Sequence, residues 1–312
     1  MSTPNRFSGY TARLYSGSMG GTETDLIQLG GVALDAAQEL AEIYPSGAID
    51  RAAVVLNSGP ASVRFATPDL ATAFGVVDPA VGLLCTGGAV LQFQKRADGG
   101  VFAGSGANVL ATSSSGFLLP TRLSASQDKP ALLELAYHAF SSTGLAEPFT
   151  LTASQSLGGT APAFSSLFYL GGVYLGSAQI LSCCDVRIDF GITFSKFTTR
   201  GATDGNLYPK AGAIIKRQPV ITLSFTDVSL TPTALSSLFA NALGSSLYVY
   251  FAQGAAGGQR KSYSGNNHVK ITTTSGEWHA RSVAVQGESD ADTSIEIRPT
   301  AALAVAAQTT IP

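Results

Sequence analysis

The chain has 312 residues, enough for two domains of about 155 residues each. Only 13% of residues are charged and the formal net charge is −2; with no basic run or Arg-rich helix, nothing points to tight nucleic-acid binding. No run of about 18 apolar residues occurs, which excludes a membrane-spanning helix.

In chain order, residues 1–25 are rich in Gly, Ser and Thr and read as a flexible arm or an early strand around Tyr10 to Tyr15. Ala, Gln, Glu and Leu dominate Ala33 to Ile43, which suits a helix or an irregular strand. Strand patterns follow at Ala52 to Leu56 and Ser62 to Phe65. Thr67-Pro68-Asp69 then opens a short helix: Thr67 offers a capping oxygen, Pro68 fixes φ, and Asp69 suits the helix dipole. Leu70 and Phe74, four apart, share its buried side, and Gly75 ends it. Ala89 to Lys95 reads as a strand with a turn at Asp98-Gly99-Gly100, followed by Val101 to Ala103, Asn108 to Ser113 and Leu118 to Ser126. Residues 130–140 favour helix by propensity, yet their counterpart Thr293 to Arg298 is plainly strand, so 131–140 is assigned as strand. Residues 141–165 form a Ser/Thr/Gly/Ala/Pro-rich seam. Leu167 to Tyr174 and Gln179 to Cys184 read as strands, and Val186 to Phe197 alternates cleanly. After a loop at 201–206, strands are expected near 213–216, 220–225, 246–251, 269–274, 279–285 and 293–298, and then an extended tail from Thr300.

The unit at 60–77 recurs. Residues 219–241 again run from a proline through a strand ending on Phe225 to Thr231-Pro232 and a helix with Leu235 and Phe239. Leu29-Gly30-Gly31-Val32 echoes Leu170-Gly171-Gly172-Val173, and Tyr44-Pro45 echoes Tyr208-Pro209. Gly99-Gly100 matches Gly257-Gly258, Val109 to Gly116 matches Val269 to Gly276, Arg122 and Gln127 match Arg281 and Gln286, and Leu133 to Leu135 matches Ile295 to Ile297. The offset is 160 at both Phe65/Phe225 and Val109/Val269 and drifts between them, as loops that gain and lose residues would make it do. The expected fold is therefore mostly β with a short helix per domain. It comprises two tandem β-sandwich or partial-barrel domains from an internal duplication, 1–158 and 159–312, the second with an extra hairpin near 185–207.

Chemistry-bearing patterns are few. His138, His268 and His279 lack metal-ligand spacing, and no G-x-S-x-G elbow occurs. Gly104-Ser105-Gly106 does not continue into a phosphate loop. Cys85, Cys183 and Cys184 form no disulfide framework and read as small hydrophobes. Glu288, Asp290 and Asp292 alternate like the start of a calcium loop, but Thr293 and Pro299 stand where such a loop needs Gly and Glu. Trp278 reads as core. The expectation is no enzyme: no catalytic, cofactor-binding or metal site, and no cofactor.

Asp204-Gly205-Asn206-Leu207-Tyr208-Pro209, the following Lys216-Arg217-Gln218-Pro219 strand through Phe225, and the Thr-Pro-capped helix resemble the tail tube proteins of long-tailed bacteriophages. The resemblance covers most of the second half and, through the repeat, much of the first. It implies a β-sandwich or partial barrel flanked by a helix, joined around a ring into a continuous barrel, with rings stacked into a hollow tube that conducts DNA without binding it specifically. A form with two fused copies implies trimeric, pseudo-hexameric rings. Implied partners are further copies of the chain and other tail proteins (tape measure, terminator and baseplate), with no membrane. Implied roles for parts of the chain are a lumen- or neighbour-facing hairpin at 186–199, and contacts to the next ring from 201–207 and both termini. The implied place is the virion, assembled in the host cytoplasm, which fits an N-terminal Met-Ser-Thr-Pro-Asn-Arg without the marks of a signal peptide. The baseplate hub, with a related duplicated fold, is the alternative within this class. A carbohydrate-binding, adhesin-like β-protein is the alternative outside it, and an unconventional hydrolase the remotest.

Overall fold

The computed structural model describes residues 6–16, 22–27, 29–36, 39–44, 46, 52–59, 61–96, 106–158, 167–180, 183–198, 207–226, 241–254, 267–284 and 292–312. Twelve strands and one helix come first: β1 (Arg6–Ser16), β2 (Thr22–Ile27), β3 (Leu29–Ala36), β4 (Glu39–Ile43), β5 (Ala53–Ser58), β6 (Ala61–Thr67), α1 (Leu70–Val76), β7 (Leu83–Cys85), β8 (Ala89–Arg96), β9 (Asn108–Ser113), β10 (Gly116–Ser126), β11 (Lys129–Ala139) and β12 (Thr150–Gln155). Twelve more follow: β13 (Phe168–Leu175), β14 (Ala178–Ile180), β15 (Cys183–Asp189), β16 (Ile192–Phe197), β17 (Ala211–Arg217), β18 (Val220–Phe225), β19 (Asn241–Ala242), β20 (Leu247–Gln253), β21 (His268–Thr273), β22 (Gly276–Ala284), β23 (Asp292–Pro299) and β24 (Ala304–Thr309). The fold is mostly β, as the alternating pattern requires.

The pairing is antiparallel throughout. One sheet runs β12-β9-β8-β1-β2, and another runs β3-β6-β11-β10 with β7 on the start of β10, while β4 and β5 form a separate ribbon. Adding twelve to every strand number gives the pairing of the remaining chain. Its strands run β24-β21-β20-β13-β14 and β15-β18-β23-β22 with β19 on the start of β22, and β16–β17 is the ribbon.

The irregularities recur as well. The register slips between Gly9 and Ala12 against β8, and between Leu170 and Val173 against β20. It slips at Pro120/Arg122 and at Ala280/Ser282, 160 residues apart. It slips at Glu39/Leu40 and at Thr193/Phe194 in the two ribbons. Buried polar groups repeat too. Asn108 Oδ1 accepts from the Lys95 amide at 3.0 Å, and His268 Nδ1 accepts from the Gln253 amide at 3.1 Å. Both side chains are 1% exposed, so each silences a donor that the sheet leaves over.

The core lies between the paired sheets. Leu14, Leu91, Val63, Leu118, Leu123 and Leu135 fill it on the first side, and Phe168, Phe251, Ile188, Leu223, Ile271 and Trp278 on the second. Burial alternates along β6 and β18, as one-sided strands demand. The strand assignment at 131–140 holds despite local helix propensity, because β11 is clamped between β10 and β6.

Several expectations change. The helix-or-irregular-strand segment at 33–43 is strand where it is described, Ala33 to Ala36 in β3 and Glu39 to Ile43 in β4: cross-strand pairing overrides the propensity of Ala, Glu and Leu. Asp69, not Thr67, is the N-cap of α1, its carboxylate accepting from the Thr72 amide, while Thr67 Oγ1 accepts from the Asp69 amide. The helix runs one residue past Gly75, and Leu70 is buried with Phe74 packed against the core. The matching second helix at 232–239 lies outside the described residues. The seam contains β12, and the tail from Thr300 carries β24, because each completes a five-stranded sheet by pairing β9 or β21.

Four of the sequence echoes are not structural equivalents; the shared bulges of β10 and β22 set Arg122 on Ser282 rather than Arg281, and Leu133 on Thr293 rather than Ile295. Leu170-Gly171-Gly172 lies in β13, which corresponds to β1, whereas Leu29-Gly30-Gly31 opens β3. Tyr44 directly follows β4, but Tyr208 sits just before β17. The extra hairpin inferred from these echoes is therefore not extra. Ribbon β16–β17 answers ribbon β4–β5, and the ribbons close alike through Ala52 N–H to Ile43 O and Lys210 N–H to Phe197 O.

Candidate functional site

The residues with reactive side chains do not converge. His138 lies on β11, His268 on β21 and His279 on β22. Among the described residues no group of His, Cys, Asp and Glu could hold a metal ion. Cys85 and Cys183 are buried, and burial pushes the Cys85 thiol up to about 12 and raises that of Cys183. Neither is poised as a nucleophile. Asp292 begins β23, and Glu288 and Asp290 fall outside the described residues. Trp278 is buried, as a core residue. No described helix is long and apolar enough to cross a membrane.

What does stand out is the junction between the two halves. The outer edge of β10 is divided: β7 takes Gly116 to Leu118, and β15 takes Arg122 to Ser126. Arg122 faces Asp189, Leu123 faces Ile188 and Ser124 faces Arg187. This pairing fuses the two four-stranded runs into one sheet, β3-β6-β11-β10-β15-β18-β23-β22. Gln127 reinforces it by donating from its backbone to Cys184 O at 3.0 Å and from Nε2 to Cys183 O at 3.0 Å. A second link pairs Pro130 with Tyr169, and α1 packs against β24.

At Gly191 the chain leaves this sheet. Its φ of +56° and the closeness of the Gln218 carbonyl leave no room for a Cβ. Ribbon β16–β17 then folds over the face of the first half. Phe194 stacks on Phe117 at 5.1 Å, on His138 at 4.8 Å and on Phe140 at 6.4 Å between centroids. The segment after β16 is tied down by backbone bonds: Gly59 N–H to Leu207 O, Leu207 and Tyr208 N–H to Gly144 O, and Ser141 N–H to Pro209 O. The positive charge of Lys196 acts on His138, and the negative charge of Asp35 acts on Lys196. Burial and the positive charges of Lys196 and Arg64 push the His138 imidazole down to about 4. The rest of the 201–207 loop, assigned to inter-ring contact from sequence, lies outside the described residues.

Among the described residues the same junction exists in outline at both ends of the long sheet without a partner: β3 pairs only with β6, and the edge of β22 from His279 to Ala284 pairs only with β23. These edges correspond to β15 and β10. Matching the registers on β6 and β18 sets Leu34 on Val186 and Asp35 on Arg187. Val186 is 2% exposed in the core with its strand paired beside β10, and Leu34 is 39% exposed. The same position is thus sealed inside the chain and open at its end.

The face beside the open β22 edge carries a charge cluster. Glu296, 5% exposed, receives Arg298 Nε at 2.7 Å and lies 3.1 Å from Arg281 Nε and 3.7 Å from His279 Nε2. The Arg298 hydrogen bond, aided by the charges of Arg298, Arg281 and His279 and opposed by burial, holds this carboxyl below the usual range. One carboxylate among two arginines leaves the cluster positive. Sequence reading took 186–199 as a lumen- or neighbour-facing hairpin and did not single out Val186 and Phe194 as residues of the junction inside the chain, nor Leu34 as the counterpart of Val186. Their only local signal is an apolar residue in an alternating strand, which core residues share. No protein-family model and no curated protein matches this chain.

Proposed function

We propose that this chain is a ring-forming structural protein of a bacteriophage tail tube, built from a duplicated β domain. The observation that carries this reading is the pair of open edges, β3 and β22, for which the β10–β15 junction is a ready template. A head-to-tail contact that repeats that junction is heterologous, and it closes into a ring when its rotation allows. Closure also removes exposed edges that would otherwise invite uncontrolled pairing.

Size favours several copies. Eight strands alone would close with no room beyond their own side chains. Three copies bring 24 strands to the barrel. At about 4.8 Å spacing and ~40° tilt these close into a ring about 48 Å across the backbone. That leaves a lumen able to pass a nucleic-acid duplex. With 13% charged residues and a net charge of −2, the chain has little with which to grip DNA.

Electron microscopy of the purified protein tests the reading. Stacked rings or tubes are expected from a tube protein. Single rings that do not stack indicate the hub of the baseplate instead, and dispersed monomers refute both.

A further inference from the structure

We infer that the apolar groove between β3 and β12 of one copy receives the second half of the next copy in the ring, as α1 occupies the corresponding place between β15 and β24 inside the chain. This rests on the ring reading above and adds a second layer to the pairing of β3 with β22.

Inside the chain the first half reaches over the second. Helix α1 packs against β24 and β21. From the same helix the Phe74 ring meets Phe190, the residue after β15, at 6.3 Å between centroids. Phe190 is 2% exposed, and Val305 of β24 packs against the core. The β15–β24 end of the second sandwich is thus covered by an element of the other half.

The first sandwich has the same end between β3 and β12, and the one described helix lies elsewhere, on β24. A cavity of about 470 Å³ opens there, lined by Leu34, Ala61, Pro148, Phe149, Leu151 and Tyr208. Phe149 is buried and tilts against Tyr137 at 6.0 Å between centroids. Leu151, by contrast, is 60% exposed. The registers fix its counterpart: Leu151 stands opposite Ala111 as Val305 stands opposite Ile271, and Gln155 opposite Asn108 as Thr309 opposite His268. Asn108 and His268 are the two residues that cap equivalent amides. One position is therefore packed in the second half and bare in the first.

The occupant is a second copy of this chain. The groove adjoins β3, the edge on which the ring reading seats β22 of the next copy, so that copy's second half is brought alongside it. Strand pairing of β10 with β15 already brings an apolar element of one half onto the next in this way, and a head-to-tail ring repeats the arrangement at every junction. The chemistry agrees: apolar walls with Glu147 and Thr150 exposed beside them suit a packed protein element with a polar rim.

The test places a thiol in the groove. Leu151→Cys is treated with iodoacetamide as the dilute chain and as assembled rings, alkylation at 151 is followed by mass spectrometry, and thermal melts control for folding. Alkylation should be fast in the dilute chain and at least about tenfold slower in rings. Thr152→Cys, on the opposite face of β12, should react equally fast in both. An unchanged rate at 151 in rings, or equal slowing at 151 and 152, overturns the groove contact and leaves the rings standing. Full protection at 151 in the dilute chain shows that the chain covers its own groove and overturns the contact too. A wild-type chain that forms no closed ring overturns the ring reading, and the contact with it.

Discussion

Replacing Leu34 and Val186 by aspartate, one at a time, separates the folding of the chain from its assembly. The two residues occupy corresponding positions on β3 and β15. Val186 is 2% exposed in the hydrophobic core, with its strand paired beside β10. An aspartate there is a buried charge without a partner and should cost the folded chain about 3–5 kcal/mol. That is a large share of a typical 5–15 kcal/mol total. Leu34 is 39% exposed in the single chain, so Leu34→Asp should move its stability by less than about 1 kcal/mol. In a closed ring, however, the exposed two-fifths of the leucine would be buried. That contribution is about 1 kcal/mol per junction, and an aspartate replaces it with a desolvated carboxylate. Urea unfolding of dilute protein measures the first effect, and light scattering coupled to size exclusion measures the second. Val186→Asp should unfold at markedly lower urea. Leu34→Asp should unfold like wild type and fail to form rings. If Leu34→Asp assembles normally, or if it destabilises the dilute chain as much as Val186→Asp, the correspondence of the two edges is wrong.

Three further outcomes follow from the junction and the repeated core. Phe194→Ala removes a ring stacked on Phe117, His138 and Phe140 and should loosen ribbon β16–β17 by about 2–3 kcal/mol; hydrogen exchange should rise in 192–197 and 211–217 while β8 and β9 stay protected. His138 titrates near 6.5 when unfolded and at about 4 when folded, so between those values the unfolded chain binds the extra proton. Stability should therefore fall as pH drops through this window, by at most about 3 kcal/mol at pH 4, and His138→Phe should flatten that part of the pH–stability curve. His268→Asn should be tolerated within about 1 kcal/mol in chemical denaturation, because Asn108 already caps the corresponding amide, whereas His268→Leu should cost about 1–3 kcal/mol by stranding the Gln253 N–H.

The sequence by itself determined that this is a β protein with alternating strands and a short helix after β6, from short-range causes: side-chain period and amide capping by a nearby oxygen, although the cap is Asp69 and Pro68 stands before it. That β11 is a strand against its own helix propensity was legible only through its counterpart at 293–298, because its cause is clamping between β10 and β6. The anchors Phe65/Phe225 and Gly116/Gly276 were legible because strand ends and bulges keep their spacing. The Leu-Gly-Gly and Tyr-Pro echoes misled, because glycine and proline report local turn geometry, and the same turn chemistry serves unrelated places in a fold. Only the tertiary structure decided that β12 and β24 are strands, since both are recruited by partners 32 to 47 residues away that carry no mark of it. It alone set Val186 in the core beside β10 and left Leu34 in the open. Strand pairing is a contact between distant segments, and the free energy that selects one partner over another belongs to the pair, so neither strand's own residues can announce it.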